Sequence, residues 1–217
     1  CKGLCRICSL EPDPHKFIDW CANIEAEHLG IPTGKQDYYA AYFGGLSRIS
    51  FGLDGISHEH IRLSKLDIRR IEECMILSFT GISHFSGTNN WNMTKRYIDD
   101  SEGTRDAMKK IKSTAIKMSE AIGNRDISGF ADALDEEWRN RRNLAEGVSN
   151  EKIDKIMLAA SEAGAMASKI CGAGGGGCMV TVCMPEHRAA VIEAIKAAGA
   201  EVMDFRVRFE GAEVSEA

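Results

Sequence analysis

The stretch that most constrains this chain is Lys169-Ile170-Cys171-Gly172-Ala173-Gly174-Gly175-Gly176-Gly177-Cys178, in which five of the six positions from Gly172 to Gly177 are glycine. Glycine adopts φ > 0 freely and lets a backbone N–H approach a ligand closely. Successive N–H groups in such a loop form a concave anion site that suits phosphate. A flexible linker is the alternative reading, but Gly-rich linkers are padded with Ser or other polar residues and join separate domains. Here a helical pattern runs directly in and an apolar strand, Cys178 to Cys183, runs directly out. The segment reads as a phosphate loop in the order helix, loop, strand.

Other phosphate loops fit less well. Gly172, Gly174 and Gly177 match G-x-G-x-x-G, but that motif marks a dinucleotide fold only when it follows a strand and opens a helix. A Walker A loop ends in Gly-Lys-Ser/Thr, and Gly177 is followed by Cys178. A protein-kinase glycine loop brings V-A-I-K, H-R-D and D-F-G with it, and none is present. The helix–GAGGGG–strand arrangement resembles the third motif of the GHMP kinases, the small-molecule kinase superfamily of galactokinase, homoserine kinase and mevalonate kinase.

Composition bounds the rest. A length of 217 residues supports a sizeable core in one or two domains. The hydrophobic (44%) and charged (27%) fractions are ordinary for a soluble protein, and a net charge of −5 gives no basic footprint for nucleic acid. No stretch reaches the length of a transmembrane helix and no signal peptide is visible, so no membrane partner is expected. The chain opens on Cys1 rather than Met, which predicts a processed or partial chain. The eight cysteines are irregularly spaced for disulfides. Cys1-x3-Cys5-x2-Cys8 has the spacing of a radical-SAM iron–sulfur motif, yet Cys1, Leu4, Cys5 and Cys8 also form one helical stripe. Buried helix cysteines in a reducing cytoplasm are the favoured reading.

Along the chain, Asp13 and Pro14 start a helix that runs to about Leu29, with Phe17, Ile18, Cys21 and Ile24 as its buried face. Gln36 to Phe43 reads as a short helix closed by Gly44-Gly45. Leu46–Phe51 and Ile56–Leu63 alternate as antiparallel strands, and Cys74–Phe79 is a short apolar strand. A helix follows near Asn90–Ile98. Three longer helices come next, marked by Met108 to Ile122, by Phe130, Leu134 and Trp138, and by Ile153, Ile156, Ala160, Ala163 and Ala167. Strand Cys178–Cys183, helix Glu186–Ala198 and strand Val202–Phe209 close the chain, the two strands parallel by a crossover. The pattern predicts an α+β fold.

Phosphoryl transfer needs N–H donors for the phosphates, a cation, and a carboxylate near the accepting hydroxyl. The candidate carboxylate is Asp37, after flexible Gly34 and beside Lys35, with small Ala40 and Ala41 one turn on. A neighbouring ammonium keeps a carboxylate ionised. A first-turn carboxylate favoured by the helix dipole is the equal alternative.

Four stretches further resemble the D-glycero-D-manno-heptose 7-phosphate kinase branch of the GHMP kinases: Gly34-Lys35-Gln36-Asp37 with Ala40-Ala41 and Gly44-Gly45; Thr80 to Trp91; Glu136-Glu137-Trp138-Arg139-Asn140-Arg141 with Leu144 and Gly147; and Lys169 to Gly177. The resemblance implies that Asp37 is the catalytic base and that Gly172, Ala173, Gly174, Gly175, Gly176 and Gly177 line the phosphates of ATP. Lys35, Gln36, Ser83, His84 and Ser86 would meet the substrate, although His84 reads equally as a solvated loop histidine. It implies Mg²⁺ with unassigned ligands, a sugar-phosphate substrate phosphorylated at the anomeric position, and a cytoplasmic enzyme. The family's P-x-x-x-G-x-G-S-S loop and its basic N-terminal strand motif have no match. Residues 1–71 are therefore expected to be a remnant of the N-terminal (ribosomal protein S5 domain 2-like) domain, and 72–217 the ferredoxin-like C-terminal domain. A missing N-terminal segment of the same protein would be the natural partner. A kinase of another sugar or of a mevalonate-type alcohol, a related decarboxylase, and a non-catalytic binding fragment are the competing expectations.

Overall fold

The computed structural model describes residues 1–31, 33–83 and 86–215. The chain divides into two units, Cys1–Arg62 with Val207–Ala217, and Leu63–Arg206. The expected boundary after residue 71 falls inside a helix of the second unit.

The first unit holds helices α1 (Lys2–Ile7), α2 (Pro14–Leu29) and α3 (Gln36–Phe43) and the hairpin β1 (Ser47–Gly52) and β2 (Gly55–His60). Local chemistry sets α2. The Asp13 side chain accepts from the amides of His15 and Lys16, Pro14 fits the first turn, and Gly30 closes the helix at φ 66°. β1 and β2 pair antiparallel with Gly52 opposite Gly55. Phe17, Ile18 and Tyr39 form the core, with Phe43, Ile49 and Ile56 packed against them. Tyr39 is fully buried, and its hydroxyl meets His15 Nδ1 at 2.6 Å. The tail returns to this unit: the Gly45 amide donates to Arg208 O, and that of Ala212 donates to Ala41 O.

The α1 and α2 faces correct two expectations. Cys1 and Cys8 are exposed and Cys5 is only half-buried, so the cysteine stripe is not a buried face. A six-residue helix offers two turns, and Leu4 and Ile7 on it face solvent. None of the eight cysteines forms a disulfide, and the described residues contain no His, Cys, Asp and Glu group suited to a metal ion. On α2, Ile24 is exposed and Ala22 takes a buried place instead.

The second unit holds α4 (Lys65–Cys74), β3 (Met75–Phe79), α5 (Ser86–Asp99), α6 (Thr104–Gly123), α7 (Ile127–Arg141), α8 (Glu151–Glu162), β4 (Ala165–Ile170), β5 (Cys178–Cys183), α9 (Arg188–Ala197) and β6 (Glu201–Met203). Its four strands run in the order β4-β5-β3-β6, every neighbouring pair antiparallel. That is the split β-α-β arrangement of a ferredoxin-like sheet. The core gathers Ile76, Trp138, Leu144, Val148, Ile153, Ile156, Ile170, Met179, Val191 and Ile195. Full burial of Ile153 and Ile156 fixes α8 at roughly 1.5–3 kcal/mol for each side chain.

Three elements differ from the sequence reading. The segment entering the Gly-rich loop is strand β4, not a helix. Gly164, at φ 103°, ends the helical run after Glu162, and residues 165–170 then pair with β5. The Rossmann reading still fails, because a strand rather than a helix follows the loop. β5 and β6 do point the same way across α9, but β3 lies between them, and β6 stops at Met203. Helix α4 lies outside the elements that the apolar pattern predicts, and Ser64 and Asp67 form a complete capping box at its start.

Candidate functional site

The Gly-rich loop is the turn between β4 and β5. Its neck is closed by the Cys171 amide donating to Cys178 O at 2.8 Å. Gly172, Gly174, Gly175 and Gly177 all take φ between 74° and 86°, which is why an L side chain is disfavoured there. Ala173 through Gly176 are buried. The protein grips the loop from three sides. The Gly175 amide donates to Val148 O at 2.7 Å and that of Gly177 to Ile82 O at 2.8 Å. Asn89 Nδ2 donates to Gly174 O at 3.3 Å, and Asn150 Nδ2 to Gly175 O at 3.1 Å. The Thr80 amide and hydroxyl both donate to Gly177 O at 3.0 Å.

This anchoring sorts the loop. The amides of Gly175 and Gly177 are spent on the protein. Those of Gly172, Ala173, Gly174 and Gly176 have no partner among the described residues. A β-carbon on Gly174 would lie 2.5 Å from Val148 Cγ1, whereas one on Gly172 would meet open space. The Gly172 end is therefore a cradle of unspent N–H donors, suited to the oxygens of a phosphate.

Beneath the neck lies a charge cluster that motif matching named without a role. Glu137 on α7 is 5% exposed at its side chain; its Oε1 accepts from Arg141 Nε at 2.5 Å. Its Oε2 faces Lys169 Nζ on β4 at 2.8 Å, an ion pair without the alignment of a hydrogen bond. Burial pushes the Lys169 pKa down, and the Glu137 carboxylate opposes that shift. Arg141 Nη1 also reaches Gly172 O at 3.5 Å. Two cations share one carboxylate, leaving one net positive charge at the loop.

In the first unit, Asp37 sits exposed in the first turn of α3 and makes no hydrogen bond or ion pair with a described residue. The expected Lys35–Asp37 partnership is corrected. Lys35 Nζ pairs with Asp19 Oδ1 on α2 at 2.6 Å, because Lys35 lies at the start of α3, where α2 packs. Gln36 and Ser83 are exposed. His84 lies outside the described residues, and so does the side chain of Ser86.

Residues 118–201, within the second unit, match the family described as GHMP kinases C terminal. The matched stretch runs from the last turns of α6 to the start of β6. The chain is 33% identical over 193 residues to D-glycero-alpha-D-manno-heptose 7-phosphate kinase of Campylobacter jejuni, a match that covers 87% of this chain and 55% of that enzyme. A mevalonate kinase of Pyrococcus horikoshii is 44% identical over 70 residues, which is 32% of this chain and 21% of that one. Among solved structures, a D-glycero-D-manno-heptose 1-phosphate kinase from Bacteroides thetaiotaomicron superposes with a TM-score of 0.71 at 26% identity, covering 98% of this chain and 60% of that one. The chain thus spans a little over half the length of these heptose kinases. The glycine cradle, the β4–β5 turn, lies within the stretch that matches the family. No helix among the described residues is long and apolar enough to cross a membrane.

Proposed function

We propose that this chain is part of an ATP-dependent sugar-phosphate kinase that transfers the γ-phosphoryl group to the anomeric hydroxyl of D-glycero-D-manno-heptose 7-phosphate. The observation that carries the reading is the 33% identity sustained over 87% of the chain. The glycine cradle fits a nucleotide phosphate: its open end presents unspent amides, and a positive charge lies beside it. ATP would supply the phosphoryl group, and residues Gly172–Gly177 would hold its phosphates. Asp37, an exposed carboxylate, would accept the proton of the attacking hydroxyl. Mg²⁺ would be held largely by phosphates and water with one or two carboxylates. Ser83, His84 and Ser86 would face the sugar phosphate. The enzyme would work in the cytoplasm, completed by a further N-terminal segment of the same protein.

A mevalonate-type kinase is the second reading, favoured by the 44% identity over 70 residues. That match covers a third of the chain, whereas the heptose match covers most of it. The test is an ATP-consumption assay of the intact protein with heptose 7-phosphate, galactose and mevalonate side by side. Turnover on heptose 7-phosphate alone is expected. Turnover on mevalonate alone transfers the protein to the second reading, and turnover on none removes the kinase reading.

A further inference from the structure

We propose that Lys152 and Arg141 form a divided cation site for a phosphoryl group, one charge at each end of the Gly-rich loop. The proposal rests on the kinase reading and assigns two residues to it that the sequence motifs leave without a role.

Lys152 is the second residue of α8. The macrodipole favours anions in a first helical turn, so a lysine there stands against the field. Its side chain is half-buried, yet it has no hydrogen bond or ion pair among the described residues. The half-buried lysines elsewhere are served: Lys2 donates to Ala212 O and lies over the Tyr42 ring, Lys35 faces Asp19, and Lys169 faces Glu137. Lys110, Lys112 and Lys155, which have no carboxylate partner among the described residues, are exposed to water. Lys152 therefore has neither full hydration nor a counterion. Its ammonium sits at the Gly177 end of the loop. A β-carbon on Gly81 would lie 2.8 Å from Lys152 Nζ, and Gly81 is the centre of the Thr80–Ile82 bend that grips Gly177. Asn150, the cap of the same helix, binds Gly175 O. The start of α8 is thus fastened to the loop, and Lys152 is fastened with it.

Arg141 marks the Gly172 end. Glu137 holds its Nε, which fixes the guanidinium plane, while Nη2 has no partner among the described residues. The Glu137 charge is already shared with Lys169, so the guanidinium keeps an unneutralised charge. Between the two cations lie the unspent amides of Gly172, Ala173, Gly174 and Gly176. Amide donors bracketed by a lysine and an arginine suit a phosphate, which accepts charge-assisted hydrogen bonds from both. The phosphate belongs either to the nucleotide or to the acceptor sugar.

The test is calorimetric titration of the intact protein with AMPPNP and, separately, with heptose 7-phosphate, comparing Lys152→Ala, Lys152→Arg and Arg141→Ala with the unmutated protein. Lys152→Ala is expected to weaken one of the two ligands by about tenfold or more, with an unchanged melting temperature, and Lys152→Arg to restore most of the loss. The ligand that weakens names the source of the phosphate. Arg141→Ala frees Glu137 and is read beside its own melting curve, whereas Lys152 isolates charge from packing. Affinities for both ligands within about twofold of the unmutated protein in Lys152→Ala and Arg141→Ala overturn the site. Binding of neither ligand by the unmutated protein instead overturns the kinase reading, and the site with it.

Discussion

Asp37 and Lys35 are two positions apart in the sequence and play unrelated parts in the fold. Lys35 is held by Asp19, so the ammonium that would have steadied Asp37 belongs to the α2–α3 packing. Asp37 stays an exposed carboxylate without a partner among the described residues, a group open to a substrate hydroxyl. If it is the base, Asp37→Asn in the intact enzyme lowers kcat by roughly 10²–10⁴-fold while nucleotide affinity persists. Steady-state kinetics check this, and a near-normal kcat removes the assignment. Glu137 carries the same charge in the opposite setting, buried and doubly paired. Glu137→Gln strands the Lys169 ammonium, whose side chain is 17% exposed, and is expected to cost about 3–5 kcal/mol in chemical denaturation.

Among the elements, the Gly-rich loop is held on one side and open on the other, so its glycines are not equivalent. Gly174→Ala puts a β-carbon against Val148 at positive φ, and a loss of about 2 kcal/mol or more is expected in thermal denaturation. Gly172→Ala meets no atom and bears only the left-handed backbone cost of about 1–2 kcal/mol, so nucleotide titration is expected to register it more than melting does. Helix α4 makes a separate case. Ser64 Oγ accepts from the Asp67 amide and donates to the Asp67 carboxylate. Ser64→Ala should cost about 1 kcal/mol of stability. The Ser64 hydrogen bond, and then Arg125, hold the Asp67 pKa below the usual carboxylate value. A carboxyl lowered in the folded state stabilises above its unfolded value of about 3.9, and that contribution is lost as pH falls through the lowered one. In Ser64→Ala the acid-side loss should therefore be smaller; an unaltered acid limb of the stability–pH curve would contradict the role given to this cap.

At the scale of the whole molecule, the second unit owns its sheet and its core, while the first needs residues from both ends of the chain. Residues 63–206 expressed alone are expected to melt cooperatively, as a domain with a single core does. A non-cooperative melt by circular dichroism would deny that independence. The sequence by itself determined what adjacent residues can encode: the bounds of α2 and α3 through Asp13, Pro14, Gly30 and Gly44, the β1–β2 hairpin through its alternation, and the glycine loop as a turn of left-handed backbone. The α4 cap was equally local, legible in Ser64-x-x-Asp67 though the apolar pattern did not draw the eye to it. Only the tertiary structure decided that Ala165–Ile170 is a strand, because its alanines suit a helix as well and the pairing with β5 supplies the difference. The same holds for which loop amides stay unspent, for the turn of Lys35 toward Asp19, and for the meeting of Glu137 with Lys169. Each depends on a partner far along the chain, and a side chain's local preference cannot name the distant residue that will satisfy its charge or its hydrogen bonds.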